Sequence, residues 1–150
     1  MPIFDTERFG RISFEAESEI EFPAGLPGFE RLRRFVALTL PETEPLIYLQ
    51  SVEEQTCLLT APAGAVDPEY RLSAAAEDFE RIGLRPRRGP AASDGVLCLF
   101  VLSLREQGAT ANLLAPILIN PRNRRGVQAI SQEEYSHQHA LAPLEAAVCS

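Results

Sequence analysis

The chain predicts a mostly β fold, a single antiparallel barrel-like domain with one short helix. Three observations predict it. Short apolar runs alternate with Pro- and Gly-marked turns along nearly the whole length. Only one stretch carries both start and stop signals for a helix. No internal repeat and no linker divides the 150 residues, so residues 1–150 are read as one domain, long enough for a real core.

The first element runs from Phe14 to Phe22 and alternates strictly. At a period of two, Phe14, Ala16, Ser18, Ile20 and Phe22 share one face, and Glu15, Glu17, Glu19 and Glu21 line the other. A tight turn near Ser18 would split it into two short strands. The carboxylate stripe reads either as a solvated outer face or as a surface for a basic partner, whose arrival would relieve the repulsion between like charges. Pro23 ends the strand, and Leu26-Pro27-Gly28 has the pattern of a type II turn, with Gly28 at positive φ. Phe29 is expected to fold back onto the core, with Glu30 exposed or capping a nearby amide.

Strands follow at Arg33–Thr39, Leu46–Ser51 and Cys57–Ala61, the last leading into a bend from Pro62 to Pro68. The helix is expected over residues 74–82. Ser73 stands as N-cap, Glu77 and Asp78 lie early, Arg81 late, and Gly83 takes the left-handed stop position. Phe79 and Ile82 would dock it on the sheet. Leu84 to Ser93, with Arg85, Arg87 and Arg88, reads as an exposed basic loop. Gly95–Leu104 is apolar on both faces and so is covered on both. Thr110–Asn120 and Gly126–Ile130 form a hairpin across Pro121–Arg125, after which the pattern weakens.

Composition narrows the function classes. Hydrophobic content of 45% and charged content of 23% are globular values. The apolar run from Val96 to Leu102 is too short to span a bilayer, and the N-terminus lacks a signal-peptide pattern, so a cytoplasmic location is expected. The net charge of −7 is uneven: residues 1–75 hold 13 acidic and 6 basic groups, residues 76–150 hold 8 of each. An acidic half repels nucleic acid and attracts basic partners. Cys57, Cys98 and Cys149 share no metal-ligand spacing, and the first two sit in apolar runs as small hydrophobes. His137 and His139 have no third ligand at a suitable spacing, so no cofactor or metal is expected. No nucleophile–base pair or tuned carboxylate pair is visible, which argues against an enzyme, although dispersed residues can assemble a site that sequence hides. Arg122, Arg124 and Arg125 at a hairpin tip, with Arg85, Arg87 and Arg88, offer an alternative reading as an RNA-binding module. The net negative charge opposes it, as does the lack of stacking aromatics on a basic face.

The segment Thr110-Ala111-Asn112-Leu113-Leu114-Ala115-Pro116-Ile117-Leu118-Ile119-Asn120 sets two asparagines in a strand-like apolar run. An unpaired buried amide costs about 1–3 kcal/mol, so Asn112 and Asn120 must fix backbone, cap turns or belong to a recognition surface. With Phe22-Pro23-Ala24-Gly25-Leu26-Pro27-Gly28-Phe29-Glu30, Tyr48-Leu49-Gln50-Ser51-Val52-Glu53, Asp67-Pro68-Glu69-Tyr70 and Asn120-Pro121-Arg122-Asn123-Arg124-Arg125-Gly126-Val127-Gln128, the chain resembles the FliW family of bacterial flagellar assembly factors. The likeness covers about residues 9–141 and leaves 142–150 as a tail. It implies a non-enzymatic, cytoplasmic protein that binds the translational repressor CsrA and, alternately, flagellin, so that repressed flagellin mRNA is translated. It implies no direct contact with nucleic acid and none with a membrane; a monomer is the simplest state. Glu15, Glu17, Glu19 and Glu21 are the candidates for electrostatic contact with a basic partner. Asn112, Leu113 and Asn120 follow, because their segment is the most recognisable of the family. The alanine-rich tail and the basic Leu84–Gly95 connection depart from the family's expected pattern.

Overall fold

The computed structural model describes residues 3–6, 10–13, 18–90, 95–106 and 108–141. In chain order the elements begin with β1 (Ile3–Thr6), β2 (Gly10–Ser13), β3 (Ile20–Glu21), β4 (Arg34–Leu38), β5 (Ile47–Ser51) and β6 (Cys57–Pro62). A one-turn helix α1 (Ala63–Val66), β7 (Arg71–Ser73), α2 (Ala76–Arg81) and β8 (Arg88–Pro90) follow. The chain continues with β9 (Leu97–Arg105), β10 (Gly108–Ala111), β11 (Ile117–Asn120), β12 (Arg125–Gln128) and β13 (His139–Ala140).

Seven strands close a barrel in the order β11-β12-β3-β4-β5-β6-β9, with β9 returning to β11. Closure leaves the ring without a free edge. Every pairing around it is antiparallel except β12 with β3, which is parallel and sets Arg125 beside Glu21. The expected antiparallel barrel therefore holds except at one seam. The length of β9 explains how the ring closes. Its first residues, Leu97–Leu99, pair with β11, whereas Leu102–Arg105 pair with β10. The second half of β9, with β10 and β13, thus projects beyond the closure.

Alternation along the strands builds two cores. Ile20, Phe22, Phe35, Leu49, Leu99, Ile117 and Ile119 fill the barrel interior. Cys98, Phe100, Leu102, Leu118 and Val127 point outward and are roofed by α2, β7 and the 129–141 segment. β9 supplies both cores, as its unbroken apolar pattern predicted. Phe79 of α2 and Ile82, just past its end, are fully buried in the outer core.

Several expectations need correction. α2 is not capped by Ser73: its N-cap is Ala75, with no side-chain cap bond. Ser73 is the end of β7, paired with Arg88, and its hydroxyl donates to Gln132 Oε1 at 3.1 Å. A tertiary partner thus outcompetes the local cap. Gly83 does stop the helix, at φ +79°. The 84–93 loop contains β8, and the Pro62–Pro68 bend contains α1. Thr110–Asn120 is not one strand: β10 ends at Ala111 and β11 begins at Ile117, so the hairpin is Ile117–Asn120 against Arg125–Gln128. Gly28 has φ +84°, and the Phe29 N–H donates to the Leu26 carbonyl at 2.7 Å, as the turn requires. Phe29 itself remains 37% exposed instead of folding back onto the core, and Ser18 is exposed. Cys98 is buried as expected, and Cys57 only half-buried. No helix among the described residues is long and apolar enough to cross a membrane.

Candidate binding surface

The carboxylate stripe divides at the boundary of the described residues. Glu15 and Glu17 lie outside them; Glu19 and Glu21 lie at the start of β3. Ile20 points into the barrel, so Glu21 projects from the outer wall. Among the described residues it stands between arginines as well as beside Glu19. Its cross-strand neighbours are Arg34 on β4 and Arg125 on β12. Glu19 Oε1 meets Arg34 Nη1 at 3.4 Å, the two side chains being 23% and 53% exposed. Glu19, Glu21, Arg34, Asn123, Arg124 and Arg125 together line an open depression of about 290 Å³.

The arginine side of that depression is held rigidly. Asn120 is 4% exposed. Its Nδ2 donates to the Ile82 carbonyl at 2.9 Å and its Oδ1 accepts the Arg122 N–H at 3.0 Å. Asn123 repeats the device: Nδ2 donates to the same Ile82 carbonyl at 3.0 Å, and Oδ1 accepts the Arg125 N–H at 3.1 Å. One carbonyl at the end of α2 thus anchors both asparagines of the turn. Arg124, the lone non-glycine residue at positive φ (56°) among the described residues, follows from this tethering. Its N–H donates to the Asn120 carbonyl and its carbonyl accepts the Glu21 N–H, both at 2.8 Å.

Asn112 and Leu113 are placed otherwise. Asn112 Oδ1 accepts the N–H groups of Leu114 and Ala115 at 3.1 and 3.0 Å, turning the chain between β10 and β11. Leu113 is 2% exposed, and its carbonyl accepts the Tyr70 hydroxyl at 2.7 Å. The structure therefore brings Glu19 and Glu21 together on the surface, joins Asn120 to their floor, and turns Asn112 and Leu113 inward.

The recognisable motifs upstream also hold backbone. Gln50, 1% exposed, donates from Nε2 to the Ser51 and Thr56 carbonyls at 3.0 and 3.3 Å. Ser51 Oγ accepts the N–H groups of Glu53 and Glu54. The turn so formed delivers Glu53 to β4, where Oε1 accepts the N–H groups of Arg33 and Arg34 at 2.8 and 2.9 Å. Burial pushes the Glu53 carboxyl upward, but the two backbone N–H bonds and the neighbouring guanidiniums outweigh it and lower its pKa. Glu54 binds Arg31 through both oxygens, at 2.7 and 3.1 Å, and that hydrogen bond lowers its pKa. Tyr70 stacks edge-on against Phe100 at 4.7 Å, and burial raises its pKa. Burial likewise pushes the Cys98 thiol up to about 12. Among the described residues no group of His, Cys, Asp or Glu is arranged to hold a metal, and His139 lies on β13.

Arg34, Arg124 and Arg125 were missed as members of a site with Glu21. Arg34 is 91 residues from Arg125, and only the parallel seam brings their strands to either side of β3. The local signal was the charge alternation in Asn120–Arg125, read from sequence as an independent basic tip.

The family model described as FliW protein matches residues 3–141. A flagellar assembly factor FliW of Syntrophomonas wolfei is 32% identical over 136 residues, covering 88% of this chain and 83% of the relative. The FliW of Clostridium botulinum strain Alaska E43 is 33% identical over 142 residues, covering 93% and 97%. A crystal structure of the flagellar assembly factor FliW superposes with a TM-score of 0.81 at 27% identity, over 95% of this chain and 99% of that one.

Proposed function

The chain belongs to the FliW family, and from that premise we propose that it is a cytoplasmic flagellar assembly factor that works by binding proteins, without catalysis. In this reading it sequesters the translational repressor CsrA, relieving repression of flagellin mRNA. Newly made flagellin competes for it, which couples flagellin level to flagellin synthesis. The observation that carries the reading is the match across nearly the whole chain, in both sequence and fold. The geometry supports a binding role. Glu53, Asn112, Asn120 and Tyr70 turn to backbone, whereas Glu19 and Glu21 line an open depression with the arginines around them. An exposed carboxylate surface speeds encounter with a basic partner.

Calorimetric titration of the purified chain with purified CsrA, repeated with flagellin present, tests the reading. Saturable one-to-one heat that flagellin abolishes is the expected result. A well-folded chain that binds neither protein would overturn it. Adding CsrA's RNA ligand to the same cell separates two modes of antagonism. The family resemblance implies a site apart from the RNA, so the affinity should be insensitive to RNA; a proportional weakening would mean direct competition.

A further inference from the structure

The depression around Glu21 is electrically mixed, and that changes what fits it. Its lining carries three arginines and two glutamates, so it is locally basic by one charge in a chain whose net charge is −7. Arg34 is engaged with Glu19. The side chains of Arg124 and Arg125 make no hydrogen bond or ion pair with any described residue. Both are exposed, and both are carried on a turn whose backbone is fixed by two asparagines on one carbonyl. A guanidinium holds a carboxylate through two parallel N–H bonds from its planar fork, and a fixed backbone beneath it narrows the space the side chain searches.

The depression also lies at a boundary of the whole molecule. Strands β3–β6 come from the acidic first half of the chain and stand side by side in the ring, and β9, β11 and β12 come from the second half. The parallel pair β12–β3 is one of the two seams between these walls, and Glu21 faces Arg125 across it.

We infer that this seam is the partner-docking site, and that it recognises a polypeptide segment presenting a carboxylate beside a basic side chain. The carboxylate goes to Arg124 and Arg125, and the basic group goes to Glu19 and Glu21. The inference deepens the proposed function and rests on it: the net negative charge of the chain steers a basic partner in, and the arginine pair determines which segment is accepted. Recognition by opposite signs at adjacent positions also excludes segments that are merely basic, since they would set a cation against Arg124 and Arg125.

The test turns on the sign of an affinity change. A double variant, Arg124→Asn with Arg125→Gln, takes the net charge from −7 to −9. Asn tolerates the left-handed backbone at position 124. If binding were attraction to negative charge alone, this variant would hold CsrA more tightly. Docking at the seam requires the opposite, a Kd raised roughly tenfold by loss of the carboxylate contacts. Glu21→Gln should weaken binding as well, whereas Arg122→Gln, on the same turn but outside the depression, should not. Circular dichroism and thermal melting establish that each variant is folded.

Unchanged or tighter binding by a folded double variant overturns the docking site and leaves the family reading intact. Failure of the unmutated chain to bind either CsrA or flagellin overturns both. Salt-steep retention of single-stranded RNA by the unmutated chain, lost in the double variant, would make the arginines a phosphate site and would also overturn the inference.

Discussion

At the residue scale, the side chains that make the motifs recognisable mostly hold backbone in place. Glu53 shows it with a measurable pH signature. Its folded pKa is lowered, so its contribution to stability is fully present above the unfolded carboxyl range and is lost as pH falls through the folded value. Glu53→Gln should destabilise the protein by about 1 kcal/mol at neutral pH, because a neutral amide oxygen is a weaker acceptor for the Arg33 and Arg34 amides. The difference between mutant and parent should shrink toward pH 3 in urea titrations; a pH-independent difference would remove the carboxylate from the argument. Asn120→Ala should cost about 1–3 kcal/mol, since the Arg122 N–H loses its acceptor and the Ile82 carbonyl keeps only Asn123. That corresponds to a melting temperature lower by roughly 2–12 °C for a chain of this size. A loss well under a degree would show that the buried amide is dispensable. That an asparagine in this run had to be satisfied was legible in the sequence. Its partner was not: Ile82 lies 38 residues away at the C-terminal end of α2, and the Phe79–Ile82 pattern that predicts docking on the sheet does not say which strand end meets its carbonyl.

At the scale of elements, strand periodicity was legible and pairing was not. Short apolar runs between turn signals located β4, β5 and β6 within a few residues, and the run apolar on both faces located β9; of the alternating Phe14–Phe22 run, β3 takes up Ile20–Glu21 among the described residues. The run from Thr110 to Asn120 looked continuous because both of its strands are apolar, yet Asn112 closes a turn at its centre. The β8 strand was hidden among prolines and arginines, where it is held by a three-residue pairing with β7 and by Arg88 on Gln132. Gly126 shows how tightly two elements can constrain one position. A methyl group there would lie 2.6–2.7 Å from the Phe22 ring, which is fully buried and packed edge-on against Phe35 with centroids 5.4 Å apart. Gly126→Ala should therefore destabilise by about 1–3 kcal/mol through overpacking, against the usual tendency of Gly→Ala to stabilise. Chemical denaturation would read this directly, and a neutral or stabilising result would mean that β12 and β3 can move apart at the seam. Replacing Phe22 with Leu in the Gly126→Ala background should recover part of the loss, since the clash is with the far edge of the ring.

At the scale of the molecule, closure converts a sequence asymmetry into a spatial one. Among the described residues, positions 18–75 hold nine acidic and four basic side chains, a net of −5. The described residues from 76 onward hold six acidic and eight basic, a net of +2. The ring keeps β3–β6 adjacent, so the strands of the acidic half form one continuous stretch of wall, and most of that half's carboxylates stand in the loops that join them. Composition showed the imbalance. Only the ring order shows that the strands of the acidic half are neighbours, and only the β12–β3 seam sets Arg125 beside Glu21. A basic partner should therefore be steered toward the acidic half from beyond contact range, where added salt screens the attraction over about 10 Å at 0.1 M and about 3 Å at 1 M. Contacts already made at the seam are shorter than either length and are screened less. Raising ionic strength from 0.05 to 0.5 M should thus lower the association rate with CsrA by about tenfold or more while changing the dissociation rate much less. Stopped-flow association and dissociation traces separate the two. A salt effect confined to dissociation would place the electrostatics in the bound contacts, and the asymmetric barrel would have no part in finding its partner.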